Sequence, residues 1–163
     1  MTITVPYVPS PPEVVDKMLE LAGVTPKDVV YDLGCGDGRL LLTAVKKFGA
    51  RKAVGYEIRK DLYQELVKTI AREGLSSRII VFNEDMLKAD LSEATVLALF
   101  LTTTANEKIK PKLEAELKPG TRIVSHEFTF KDWVPRKVVE LSWHKIYLYV
   151  VPECNASHAN TEK

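Results

Sequence analysis

The sequence predicts an α/β fold: three layers around a seven-strand sheet, mostly parallel, that ends in an antiparallel hairpin. Three observations lead there. Five short β-rich runs alternate with helical patterns, which implies a parallel sheet with right-handed crossovers. The fourth run, over 95–101, is apolar throughout, so both of its faces are covered. The last two runs, over 138–141 and 145–151, have the short connection of an antiparallel pair.

The elements follow in order. Ser10-Pro11-Pro12-Glu13 opens a helix twice over: serine with glutamate three residues on is a capping box, and proline suits the first helical position. Val14, Val15, Met18, Leu19 and Ala22 then recur at helical spacing, and Gly23 stops the run. Strand one is expected over 29–33. A helix over 39–48 ends at Gly49, and strand two spans 52–57. The helix over 61–73 carries Leu62, Leu66 and Ile70 on one face and stops at Gly74. Strand three is expected over 78–83. After strand four, a helix over 106–117 should be kinked or restarted at Pro111. Lys118-Pro119-Gly120-Thr121 turns into strand five, 122–127. Residues 1–154 read as one domain without repeat or linker, and 155–163 as a polar, disordered tail.

Bulk composition narrows the function. With 163 residues the chain holds one domain's core without staples. Its 45% hydrophobic and 28% charged residues are those of a soluble globular protein. A net charge of +1 supplies no general field for nucleic acid or an anionic membrane. The first residues lack the basic flank and apolar run of a signal peptide, and no stretch is long enough to span a bilayer. A cytoplasmic protein is expected. Two cysteines, Cys35 and Cys154, form no framework. His126, His144, His158 and the cysteines have no zinc-like spacing, so no metal is expected.

The chemistry concentrates in Tyr31-Asp32-Leu33-Gly34-Cys35-Gly36-Asp37-Gly38-Arg39, directly behind Val29-Val30. A buried strand runs into a turn with glycines at alternate positions, where no Cβ blocks the approach of a ligand. The dinucleotide fingerprint is G-x-G-x-x-G; here it is G-x-G-x-G preceded by Asp32. A carboxylate at the strand tip is a poor neighbour for pyrophosphate but suits an ammonium or sulfonium. S-adenosylmethionine carries both, and its carboxylate can take the free N–H groups of the helix start. The bland alternative is a tight turn with no ligand. Against it stand the preceding strand, the following helix and a second acidic residue, Glu57, about 20 positions on.

Ligands of open α/β sheets sit beyond the carboxyl ends of the strands. That rule selects Asp32, Gly34, Gly36 and Gly38, then Glu57, whose carboxylate accepts from both ribose hydroxyls. Asn83, Asp85 and Met86 follow strand three: Asp85 to accept from the adenine amino group, Met86 to pack on the ring, with a plain turn as the alternative. Strand four ends in Leu101-Thr102-Thr103-Thr104, where threonines either line the reactive end of the site or cap the next helix. The run lacks Asn-Pro-Pro-Tyr and Asp-Pro-Pro-Tyr, which weighs against methylation of base amino groups or glutamine amides. Tyr7-Val8-Pro9-Ser10 is stiffened by its prolines; it either crosses the cofactor as a lid or leads in to the first helix with a packing tyrosine. His126 and Glu127, with Phe128, Phe130 and Trp133 after them, could rim a substrate site; a hydrogen-bonded structural histidine is the commoner use.

The run Asp32–Gly38 resembles motif I of the class I methyltransferases, whose sheet is Rossmann-like with seven strands. Taken with Tyr7-Val8-Pro9-Ser10-Pro11, Gly55-Tyr56-Glu57, Asn83-Glu84-Asp85-Met86 and Leu101–Asn106 before Lys110-Pro111-Lys112-Leu113, the chain resembles the archaeal broad-specificity protein-lysine methyltransferases over residues 5–151. Those are relatives of mitochondrial lysine methyltransferases and, more distantly, of the histone lysine methyltransferase that lacks a SET domain. The resemblance implies S-adenosyl-L-methionine as cofactor and exposed lysines of other proteins as acceptors. It makes Tyr7, Pro9, Ser10 and Leu101 site residues beside the cofactor. Tyr7, Thr102 and Thr103 would then orient the amine. Nucleic-acid and membrane partners are not expected, and a monomer is compatible with these features. Three other readings stay open: a methyltransferase for a small molecule or RNA, a nicotinamide oxidoreductase, and a non-catalytic cofactor-binding subunit.

Overall fold

The computed structural model describes residues 2–155. Four helices, α1 (Pro12–Ala22), α2 (Arg39–Lys46), α3 (Lys60–Arg72) and α4 (Thr103–Glu116), alternate with the strands of one sheet. The strands are β1 (Val29–Leu33), β2 (Lys52–Tyr56), β3 (Ile79–Phe82), β4 (Val96–Leu99), β5 (Arg122–His126), β6 (Lys137–Leu141) and β7 (His144–Val150). Their order is β3-β2-β1-β4-β5-β7-β6, parallel through β5 and antiparallel at β5-β7 and β7-β6. The direction of winding reverses between β1 and β4, which places the switch-point crevice at the carboxyl end of β1. The expected seven-strand, three-layer architecture is therefore present.

Side chains alternate across each strand, so the sheet has two cores. Val30, Ala53, Ile79, Ala98 and Val124 pack against α1, α2 and α3. Tyr31, Leu33, Leu97, Leu99 and Ile123 pack against α4 and the loop segments around Met86, Leu91 and Phe130. That second face also buries Ile3 from the N-terminal segment. β1 is buried along its whole length, as a central strand covered on both faces must be.

Two expectations are corrected. Ser10 does not close a capping box: Pro11 occupies the N-cap position, its carbonyl accepts from Val14 and Val15 N–H, and no side chain caps α1. Pro12 has no N–H to cap, and the Ser10 hydroxyl is engaged elsewhere, with His126. α4 is a single helix through Pro111, and it starts three residues earlier than expected. Ala105, Ile109 and Leu113 bury one face of it against the sheet, which outweighs the hydrogen bond that proline removes. Asn155 pairs with Trp133 in an isolated bridge; the rest of the expected tail, 156–163, lies outside the described residues. No helix among the described residues is long and apolar enough to cross a membrane.

Candidate active site

A cleft opens at the carboxyl ends of β1, β2 and β4. Asp32, Gly34, Gly36, Glu57, Met86 and Leu101 line it, all of them expected there. So do residues 3–10 without a break, including Tyr7, Pro9 and Ser10. The N-terminal segment is thus one wall of the site. Hydrogen bonds and ring contacts hold it in place. The Ile3 N–H donates to Asp85 Oδ2 at 3.0 Å. The Arg39 guanidinium donates to the Ser10 carbonyl at 2.9 Å, while its other nitrogens are gripped by Asp37. The Tyr7 ring lies on Gly36, where a Cβ would come within 2.6 Å of it. The Arg59 guanidinium approaches the same ring at 5.8 Å from the centroid.

The turn between β1 and α2 needs its glycines for two reasons. Gly34, Gly36 and Gly38 all have positive φ, at 80°, 57° and 79°. At Gly38 a Cβ would also sit 2.2 Å from Leu66 of α3, so this glycine serves helix packing rather than ligand approach. It does not line the cleft.

Two carboxylates form the floor. Asp32 is buried at the base of the cleft, and burial pushes its carboxyl up to about 7, with the charges of Glu57 and Asp37 adding to the rise. Glu57 Oε1 accepts from Gly36 N–H and Oε2 from Arg59 N–H, each at 2.8 Å. A carboxylate offers about four acceptor sites, so a pair of ribose hydroxyls can still be met. Among the described residues, buried Asp32 has no ion-pair partner, and it suits an ammonium. Met86 and Leu101 offer an apolar surface. This set of donors and surfaces fits an aminoacyl nucleoside.

Other expected residues stand behind the lining. Asp85 uses both oxygens on backbone, from Ile3 and from Leu87 as cap of the 3-10 turn Met86–Lys88. The Asn83 amide donates to the carbonyls of Glu57 and Ile58 and so shapes the β2 loop. Thr102 caps α4: its hydroxyl accepts from Ala105 N–H at 3.0 Å and its carbonyl from Asn106 N–H. Thr103 is exposed in the first turn. Of the two threonine readings, the structure shows the cap.

Phe100 lines the cleft and went unremarked in the sequence. Its ring packs tilted on His126, at 4.1 Å between centroids, and stacks on Phe128 at 6.2 Å. Arg39 and Asp37 were missed as clasps; their spacing of two within the motif was the available signal. Phe130 and Trp133 do not rim the site. They are buried against Tyr149 in the second core. Both cysteines are free and buried, as apolar residues.

Comparisons with known proteins show which family this fold belongs to. A family model described as the ANTKMT methyltransferase domain matches residues 32–137. The chain is 49% identical over 153 residues to a protein-lysine N-methyltransferase of Saccharolobus islandicus (strain REY15A), covering 91% of this chain and 95% of that one. It is 32% identical to the adenine nucleotide translocase lysine N-methyltransferase of Mus musculus, over 93% of this chain and 65% of that protein. Among solved structures, an RNA methyltransferase from Salinibacter ruber in complex with S-adenosyl-L-homocysteine superposes with a TM-score of 0.86. It shares 42% identity over 90% of this chain and 95% of that chain.

Proposed function

Because the chain belongs to the ANTKMT methyltransferase family, we propose that it methylates lysine side chains on the surfaces of other proteins, in the cytoplasm. The methyl donor is S-adenosyl-L-methionine, whose sulfonium supplies an activated methyl group. One observation carries the choice of lysine: the Saccharolobus protein-lysine N-methyltransferase is matched along 95% of its own length at 49% identity. That relative thus performs protein methylation with little beyond the cofactor sheet seen here. The Salinibacter structure favours a second reading, RNA methylation, through its name. A net charge of +1 argues against it, since RNA affinity rests on phosphate neutralisation.

This chain's residues have three tasks. Asp32 and Glu57 hold the ammonium and ribose ends of the donor, and Met86 and Leu101 flank its ring. The segment 3–10 and Phe100 wall off the reactive end and thin the water there. A lysine amine has a solution pKa of about 10.4, and it attacks only after losing a proton. Apolar walls and a neighbouring positive charge both lower that pKa. The nitrogen lone pair forms the N–C bond in line with the breaking C–S bond. The C–S electron pair returns to sulfur, and the extra amine proton leaves to water. Alignment is the main contribution of the protein. Tyr7 faces the cleft as the residue that orients the amine, with Thr102 capping the start of α4.

The test is incubation of the purified chain with isotope-labelled S-adenosylmethionine, a panel of lysine-rich proteins and a panel of transfer RNAs, followed by mass spectrometry. Label on lysine supports the proposal. Label confined to RNA moves the function to the second reading.

A further inference from the structure

β5 and β7 run antiparallel, with His126 opposite Ile146. His144 lies two residues before Ile146 on β7, so it faces the same side of the sheet, diagonal to His126. Glu127 follows His126 with a left-handed backbone, φ 72°, a costly conformation for a residue with a Cβ. This bend ends β5 and brings the Glu127 carboxylate beside the two imidazoles. His126 Nε2 and His144 Nδ1 are 2.9 Å apart, and Glu127 Oε1 lies 3.7 Å and 3.5 Å from them.

We propose that His126, Glu127 and His144 form a binding site for a divalent transition-metal ion, Zn2+ by preference. The circle through the three ligand atoms has a radius of about 2 Å, which is the length of a Zn–N or Zn–O bond. One ion just off their plane therefore reaches all three without backbone movement. Two imidazoles and one carboxylate suit zinc, whereas calcium and magnesium take oxygen ligands. Orienting partners are present. His126 Nδ1 meets Ser10 Oγ at 2.9 Å, and Glu127 Oε1 accepts from Lys145 N–H at 3.0 Å. His126 is buried, while His144 and Glu127 are partly exposed and give an ion its entry. Spacing along the chain gave no hint of this site, because strand pairing assembles it.

The site lies behind His126 as seen from the cleft, so its role is positional. Metal on Nε2 fixes the proton on Nδ1, which then donates to Ser10 Oγ. Ser10 lines the cleft, and its carbonyl holds Arg39. The ion would pin the N-terminal wall of the site to β5.

The experiment needs no methyl donor, so its outcome is independent of the proposed function. The chain is stripped with EDTA and titrated with ZnCl2 by calorimetry, and with CoCl2 by visible absorbance. Expected are one ion per chain, the intense d–d band of tetrahedral Co2+, and a raised Tm. His144→Ala and Glu127→Gln, with folding verified by circular dichroism, should each weaken Zn2+ binding at least about 100-fold. Ser10→Ala should weaken it about 10- to 100-fold, as expected for an orienting partner. No binding by the unaltered chain would reduce the cluster to a hydrogen-bonded histidine pair and overturn the proposal. Equal binding by His144→Ala would overturn it too, since the ion would then sit elsewhere.

Discussion

On the proposed function, Asp32 is the residue that meets the ammonium of the donor. Burial pushes its carboxyl up to about 7, against 3.8 for the ordinary group. An ammonium beside it favours the ionised form, so binding expels a proton at pH values below about 7. Affinity for S-adenosylhomocysteine should therefore rise with pH up to about 7 and level off above it. Calorimetry in buffers of different ionisation enthalpy should register the released proton, and Asp32→Asn should abolish it. A pH-independent Kd would refute this assignment. The same group shapes stability. Between 3.8 and about 7 the folded chain keeps a proton that the unfolded chain has lost, so stability falls as pH rises through that window. Asp32→Asn should flatten that slope in thermal melts. Glu57→Gln keeps the shape but loses charge-assisted bonds of about 1.5–3 kcal/mol. It should raise the Kd for S-adenosylhomocysteine about 10- to 100-fold.

Elements set where those residues stand. The β1–α2 turn packs its third glycine against α3, so Gly38→Ala meets both Leu66 and a positive φ. We expect a loss of about 2–4 kcal/mol in urea unfolding, with no change of fold. The N-terminal segment depends on a few contacts only, and Asp85→Ala removes one of them. Hydrogen exchange should show residues 3–10 opening more often, and donor affinity should fall by about 1 kcal/mol or more. Unchanged exchange in that segment would mean that Asp85 is not its anchor. In α4, Thr102→Val should cost about 1 kcal/mol of stability through the lost cap. Tyr7→Phe should instead act on kcat. The two variants thus separate the residue proposed to face the acceptor from one that supports the helix.

At the scale of the whole molecule, the two faces of the sheet are unequal. Three helices cover one, while α4, loops and the N-terminal segment cover the other. The cleft lies at the strand ends, where the N-terminal segment crosses them. Part of the site is therefore built from the N-terminal segment, which a few contacts hold, and ligand binding should tighten it. With donor at about 100 times its Kd, linkage gives about 2.7 kcal/mol. For a domain of this size that raises Tm by about 5–11 °C in a thermal-shift assay. Absence of any shift would contradict the cofactor site itself.

Periodicity and the turn motif determined most of this protein at the level of sequence. Strand and helix identities, the glycine turn, Asp32 and Glu57 are local features, set by residue spacing and by the fixed place of strand ends in an open α/β sheet. Element limits moved by a residue or a few, and α4 gained its first turn because Thr102 caps it. Tertiary structure alone decided what depends on distant partners. It turned Ser10 from a helix cap towards His126, and it spent both oxygens of Asp85 on the N-terminal segment. It sank Phe130 and Trp133 into the core and laid Tyr7 on Gly36. It also gathered His126, Glu127 and His144 from two strands. Each of these contacts joins residues far apart in the chain or turns on burial, and a pattern of neighbours in one dimension carries no record of either.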